Sequence, residues 1–147
     1  MIKIAVNKCY GGFGLSNAAI KRYWELKGRP CYFYKYNYKK GKATYLRLSE
    51  QDIDSEWRCL TFDLATIEEV EEALASGRYE EHSLYLGGRE DMWRADPHLI
   101  QVIEEMGEAA NGTHAEIEIV NIPCDVRGWT IEGYDGHEWV AEKHRRW

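Results

Sequence analysis

The sequence predicts an α+β fold: a mixed or mostly antiparallel sheet with about three helices and two β-hairpins. Three observations predict it. Asp135-Gly136 separates two short strand-forming runs, Trp129–Tyr134 and His137–Lys143, and Asp-Gly is a strong two-residue hairpin signal. A second turn, Lys39-Lys40-Gly41-Lys42, joins a tyrosine-rich run over 31–38 to a returning strand over 43–48. Helical spacing of apolar residues recurs in three places, each with a start and a stop signal.

Residues 2–7 alternate Ile2, Ile4 and Val6 against Lys3, Ala5 and Asn7, which reads as a strand. Cys9-Tyr10-Gly11-Gly12-Phe13-Gly14-Leu15-Ser16 follows. Ser16 is a good N-cap, and Ala19, Ile20, Tyr23 and Trp24 form one helical stripe that ends near Lys27-Gly28. In the first hairpin Tyr32, Tyr34, Tyr36 and Tyr38 share one strand face. That face can stack a base, pack on a helix or meet a second subunit.

Residues 49–56 are polar and read as a loop, and 58–62 as a short strand. Thr66 and Glu69 form a capping box, ahead of an apolar stripe of Ile67, Val70 and Leu74 that closes at Gly77. Residues 84–86 suggest another short strand. Asp96 caps the clearest helix, with Pro97 where its missing N–H is not needed, and Asn111-Gly112 closes it. Residues 115–120 alternate Glu116 and Glu118 with Ile117 and Ile119, a strand that Ile122-Pro123 stops. A two-residue turn at Asp135-Gly136 sets Gly133 opposite Glu138, Ile131 opposite Val140 and Trp129 opposite Glu142. Glu132 and Trp139 then face each other on the other side.

The 147 residues suit one domain, 1–147, with 31–88 as a hairpin-and-helix segment within it. The net charge of −6 argues against a general nucleic-acid binder. Local basic clusters at 35–42 and 143–146 still allow a pocket for a phosphorylated small molecule. No apolar run approaches the roughly 20 residues that cross a bilayer, and no basic, then apolar, leader pattern is visible. The expected location is cytoplasmic, with no membrane partner. Cys9, Cys31, Cys59 and Cys124 match neither metal-ligand spacing nor a disulfide framework. The six Trp and ten Tyr serve cores, interfaces and base-stacking surfaces alike.

The glycine stretch lies between a strand and a helix, where backbone N–H groups and the helix end favour an anion. It is not a phosphate-binding loop of the Gly-Lys-Ser/Thr type. It also breaks the dinucleotide fingerprint, because Asn17 stands where the third glycine belongs. Its other reading is a tight turn with glycines at positive φ. His82, His98, His114, His137 and His144 match no zinc spacing, so neither a metal nor a cofactor is expected. Glu138 and His144 are the acid/base candidates if the protein is an enzyme.

Four blocks together resemble a group of small bacteriophage and prophage proteins. They are Tyr10-Gly11-Gly12-Phe13-Gly14-Leu15-Ser16, Arg94-x-Asp96-Pro97-x-Leu99-Ile100, the run over 104–112, and Tyr134-Asp135-Gly136-x-Glu138-Trp139-Val140-x-Glu142-x-His144-Arg145-x-Trp147. The likeness covers the first helix region and the last third of the chain and leaves 31–88 outside. It implies a viral accessory role, such as inhibition of bacterial defence by sequestering a nucleotide signal. No catalytic residue follows from it. The expectation is a non-catalytic, homo-oligomeric binder of a small anionic, nucleotide-like ligand, not of nucleic acid. Backbone amides of 12–15 hold phosphate, Arg94 or Arg145 pairs with charge, and Tyr10, Phe13, Trp139 or Trp147 stacks on a base. Glu138 accepts ribose hydroxyls, and Gly11, Ser16 and His144 complete the site. The alternatives are a nucleotide or phosphoester hydrolase and a protein-binding inhibitor of a host factor.

Overall fold

The computed structural model describes residues 1–53, 59–86 and 91–143. The chain divides into two compact units. Met1–Tyr23 and Gly88–Trp147 form one, and Trp24–Gly87 forms the other. The second unit nearly coincides with the hairpin-and-helix segment read over 31–88. The fold class is α+β, but the strands build three small antiparallel sheets among the described residues, where one sheet was expected.

In the first unit β1 (Ile2–Asn7) pairs with β5 (Ile117–Ile122), with Ile4 opposite Val120 and Asn7 opposite Ile117. β1 forms as read, and Ile4, Ala5, Val6 and Asn7 are all fully buried, so both faces of its later half are covered. Ala5 and Asn7 are small enough to sit under neighbouring structure, and only Lys3 of their face reaches outward to an ion pair with Glu104 at 2.6 Å. Helix α1 (Asn17–Leu26) begins at Ser16, whose Oγ accepts from the Ala19 amide at 3.2 Å, as expected of an N-cap. Gly28, at φ +73°, follows its last turn.

α4 (Pro97–Met106) buries Leu99, Ile100, Val102 and Ile103. Asp96 caps it, accepting from the His98 amide at 2.8 Å. It ends earlier than Asn111-Gly112 suggested: Gly107 takes φ +58°, and a 3₁₀ turn spans Gly107–Ala110. The Tyr23 hydroxyl donates to Asp96 Oδ2 at 2.8 Å and ties α1 to the start of α4. Burial first, then that hydrogen bond and the negative charge of Asp96, push the Tyr23 phenol well above its ordinary value. The terminal hairpin, β6 (Trp129–Tyr134) and β7 (His137–Glu142), pairs in the register the turn dictates: Gly133 with Glu138, Ile131 with Val140, and Glu132 with Trp139. Asp135 at φ +50° and Gly136 at φ +89° make the two left-handed positions that such a turn requires.

In the second unit β2 (Tyr32–Lys39) lies between β3 (Lys42–Arg47) and the short β4 (Leu60–Phe62). α2 (Ile67–Ala75) starts at Thr66, whose Oγ1 accepts from the Glu69 amide at 3.3 Å as the expected N-cap; Glu69 reaches back, but its Oε1 accepts from the Thr66 hydroxyl at 3.0 Å rather than from the backbone N–H of a full capping box. α3 (Tyr79–His82) is a single turn. Tyr34, Phe62 and Val70 centre the core, with Tyr32, Tyr45, Leu64, Ile67 and Leu74 packed around them. The strand expected over 84–86 is only a bridge between Phe62 and Ser83, made by two bonds, Leu84 N–H to the Thr61 carbonyl and Asp63 N–H to the His82 carbonyl.

Candidate functional site

The site is built from the carboxyl end of β1 outward, within the first unit. Asn7 is buried and points its amide at three chain segments. Its Nδ2 donates to the carbonyls of Cys9 at 2.8 Å and Gly136 at 2.7 Å, and its Oδ1 accepts from the Glu116 amide at 2.8 Å. One side chain thereby joins the glycine loop, the tip of the terminal hairpin and the entry to β5. The Asp-Gly turn seats tightly against the loop. A Cβ on Gly136 would lie 2.6 Å from the Gly12 nitrogen and 2.7 Å from the Tyr10 carbonyl oxygen.

The loop follows its turn reading in part. Gly12 takes φ +93°, a conformation that favours glycine, whereas Gly14 does not have positive φ. Gly11 is required by proximity, because any Cβ there would collide with the His114 backbone. Beyond Gly14 the loop runs beside the end of the 3₁₀ turn. Gly112 N–H donates to the Gly14 carbonyl at 2.8 Å, Leu15 bridges to Asn111, and Ser16 N–H donates to Ala110 at 2.9 Å. The Ser16 hydroxyl donates to the Ala109 carbonyl at 2.7 Å while its oxygen caps α1. Gly14, Leu15 and Ser16 therefore use backbone groups to hold the fold.

Arg94 and Glu138, expected as ligand contacts, meet each other. Nη1 and Nη2 of Arg94 lie 2.8 and 3.1 Å from the two carboxylate oxygens, a bidentate pair with side chains 13% and 16% exposed. Glu138 Oε1 also accepts from the Asn7 amide at 2.9 Å, and Arg94 Nη1 donates to the Ala5 carbonyl at 3.2 Å. The Arg94 guanidinium sits 3.5 Å above the centre of the Phe13 ring, and Phe13 meets Trp93 edge-on at 5.4 Å. This explains the bulky residue in a glycine loop: Phe13 is the floor under a nearly buried cation. The missing side chain at Gly133, opposite Glu138, leaves no notch, since a Cβ there would approach the His137 carbonyl to 3.1 Å.

The register turns the opposite face of the hairpin outward. Tyr134, His137, Trp139 and Glu132 lie on it. Tyr10 tilts over His137 with ring centres 5.5 Å apart, and His137 stands 6.1 Å from Trp139. Tyr10 is 68% exposed, Tyr134 74% and Trp139 38%. Trp139 Nε1 donates to Glu132 Oε2 at 3.2 Å, which places a carboxylate at the edge of the row. The exposed carboxylate on this aromatic face is thus Glu132, whereas Glu138 is turned inward. His137, Glu132 and Tyr134 escaped the sequence reading as site residues. The hairpin register held the signal, since it puts all three on the face of Trp139.

His144, Arg145 and Trp147 lie outside the described residues. Tyr10 and Trp139 share the outer aromatic row, whereas Phe13, Arg94 and Glu138 form the inner ion-pair cluster. Among the described residues no group of three His, Cys, Asp or Glu side chains is arranged to hold a metal ion, and no helix is long and apolar enough to cross a membrane. Elsewhere in this unit an open cleft of about 600 Å³ runs between β1 and α4, lined by residues including Ile2, Pro97, Ile100 and Gln101 and by no predicted site residue. No protein-family model, curated protein or solved structure matches the chain.

Proposed function

We propose that the protein is a phage accessory protein that binds and sequesters a small nucleotide-like signal, such as a cyclic nucleotide or an ADP-ribose derivative, without cleaving it, and so inhibits bacterial anti-phage defence. The observation that supports ring binding is the exposed row of Tyr10, His137 and Trp139 beside the glycine loop. Such a row offers flat surfaces at which a base stacks. In this reading Glu132, at the edge of the row, accepts ribose hydroxyls in place of Glu138. In the same reading His137, inside the row, is the group that meets a phosphate. The biological setting rests on the likeness to phage proteins, and a homo-oligomer multiplies the sites.

Binding is favoured over hydrolysis by the engagement of Glu138. Both of its oxygens face Arg94, and one also holds the Asn7 amide. It must abandon those partners before it can reach a substrate. The test is retention. Incubate the purified protein with a panel of nucleotide signals, remove unbound ligand, denature, and identify what is released. An intact nucleotide is the expected result, and its loss in Tyr10→Ala/Trp139→Ala assigns it to the aromatic row. A converted product supports the hydrolase, and a folded sample that neither retains nor alters any nucleotide supports the protein-binding inhibitor.

A further inference from the structure

Charge is strongly segregated along this chain. Residues 26–49 hold seven of the 19 Lys and Arg and none of the 25 Asp and Glu. The remaining chain is therefore far more acidic than the net charge of −6 suggests. Five of the seven cations, Lys35, Lys39, Lys40, Lys42 and Arg47, lie on the β2–β3 ribbon, Arg47 at the end remote from the turn. β4 pairs with β2 only from Tyr32 to Tyr34. Beyond that point the ribbon is two strands wide, and residues 36–44 are exposed on both faces.

The pairing register sorts its side chains. Tyr36 stands opposite Tyr45 and Tyr38 opposite Ala43 on one face; Asn37 opposite Thr44 and Lys39 opposite Lys42 lie on the other, so a strand stacked on the tyrosines meets these lysines only around the narrow tip, where Lys40 stands in the turn. Tyr36 is 46% exposed and Tyr38 65%. Tyr45 supports Tyr36 edge-on, with ring centres 5.4 Å apart. Along a strand, alternate side chains on one face are roughly 6.7 Å apart. That is about twice the 3.4 Å rise of stacked bases in a duplex strand. Bases splayed from an extended single strand suit this spacing, and a duplex does not. The lysines at the ribbon tip supply the charge that meets phosphates.

We propose that the β2–β3 ribbon binds single-stranded nucleic acid, with bases on Tyr36 and Tyr38 and phosphates on Lys39, Lys40 and Lys42. The acidity of the remaining chain argues against nucleic acid elsewhere on the molecule and confines the contact to the ribbon. A second copy paired along the open β2 edge fits poorly, because antiparallel pairing centred on Asn37 brings Lys35 against Lys39. An acidic protein segment would use the lysines without needing the tyrosine face.

The full-length chain is titrated with a fluorescent oligothymidylate of about twelve nucleotides, and anisotropy is read at several salt concentrations. The proposal expects saturable binding whose log–log salt slope is about −2 to −3, from three or four phosphates at about −0.7 each. Tyr36→Ala/Tyr38→Ala weakens binding roughly tenfold or more, and Lys39→Gln/Lys42→Gln makes the slope shallower. Unchanged circular dichroism and Tm show that both variants fold. Absence of binding at low salt overturns the proposal. So does polyglutamate competing as well as unlabelled oligothymidylate while the tyrosine variant binds normally, since that result assigns the ribbon to an acidic protein. Oligothymidylate binding that survives both pairs of substitutions also overturns it.

Discussion

Asn7 is fully buried yet carries a side-chain amide with two donors and an acceptor, all engaged by backbone groups. An amide in that position stabilises only because its partners are backbone groups that would otherwise be left without water. Asn7→Ala removes the side chain and leaves the carbonyls of Cys9 and Gly136 and the Glu116 amide short of a partner. The expected loss is about 3 kcal/mol in urea unfolding, and a loss below about 1 kcal/mol would show that these groups find other partners. The ion pair beside it obeys different arithmetic. Arg94 and Glu138 are each nearly buried, so removing one leaves the other charged and poorly solvated. Arg94→Met and Glu138→Leu should each cost about 3 kcal/mol, whereas the double substitution should cost less than their sum. A double-mutant cycle by denaturant unfolding measures this coupling, and additive single effects would rule it out.

At the scale of elements, the two hairpins have nearly identical turns in different surroundings. Lys40 and Gly41 take φ +51° and +76°, and Asp135 and Gly136 take +50° and +89°. A Cβ at Gly41 meets nothing within 4 Å, whereas one at Gly136 strikes the glycine loop. Gly41→Ala therefore carries only backbone strain of about 1–2 kcal/mol. Gly136→Ala adds a steric clash to that strain and should cost about 2–3 kcal/mol more than its counterpart. Thermal unfolding of the pair gives the comparison, and equal costs would mean that the loop and hairpin do not press on each other. Local signals made most elements legible. The Thr66 and Asp96 caps and both turns act through neighbours a few residues away, so their chemistry is visible in the sequence. The register of β6 and β7 was legible for the same reason. The pairing of β1 with β5, the pairing of β2 with β4 and the inward turn of Glu138 onto Arg94 and Asn7 depend on residues 26 to 131 positions apart. No local pattern encodes such contacts. Phe13 read as an anomaly in a glycine loop because its partner, Arg94, is 81 positions away.

Across the whole molecule, buried phenols tie stability to alkaline pH. Tyr23 belongs to one compact unit, and Tyr34 and Tyr45 belong to the other. All three lie above the ordinary value of 10.0, and desolvation by burial is the first cause in each. Asp96 adds to the shift at Tyr23, the Arg47 charge partly offsets it at Tyr34, and Tyr36 adds to it at Tyr45. The Tyr34 hydroxyl also donates to the Leu64 carbonyl at 2.5 Å, a bond that requires its proton. In the unfolded chain these phenols ionise near 10, while in the folded chain they stay neutral to higher pH. Between those limits the unfolded state binds fewer protons than the folded state, so stability falls as pH rises. The contribution is fully present below about pH 10 and is lost as pH climbs toward the folded values. Urea unfolding at stepped pH should therefore show a level free energy through pH 8–9 and a decline above about 10. Tyr23→Phe should lower stability at neutral pH, since the bond to Asp96 is gone, and should also make the alkaline decline shallower. If the decline keeps its full slope in both Tyr23→Phe and Tyr34→Phe, these phenols do not set it.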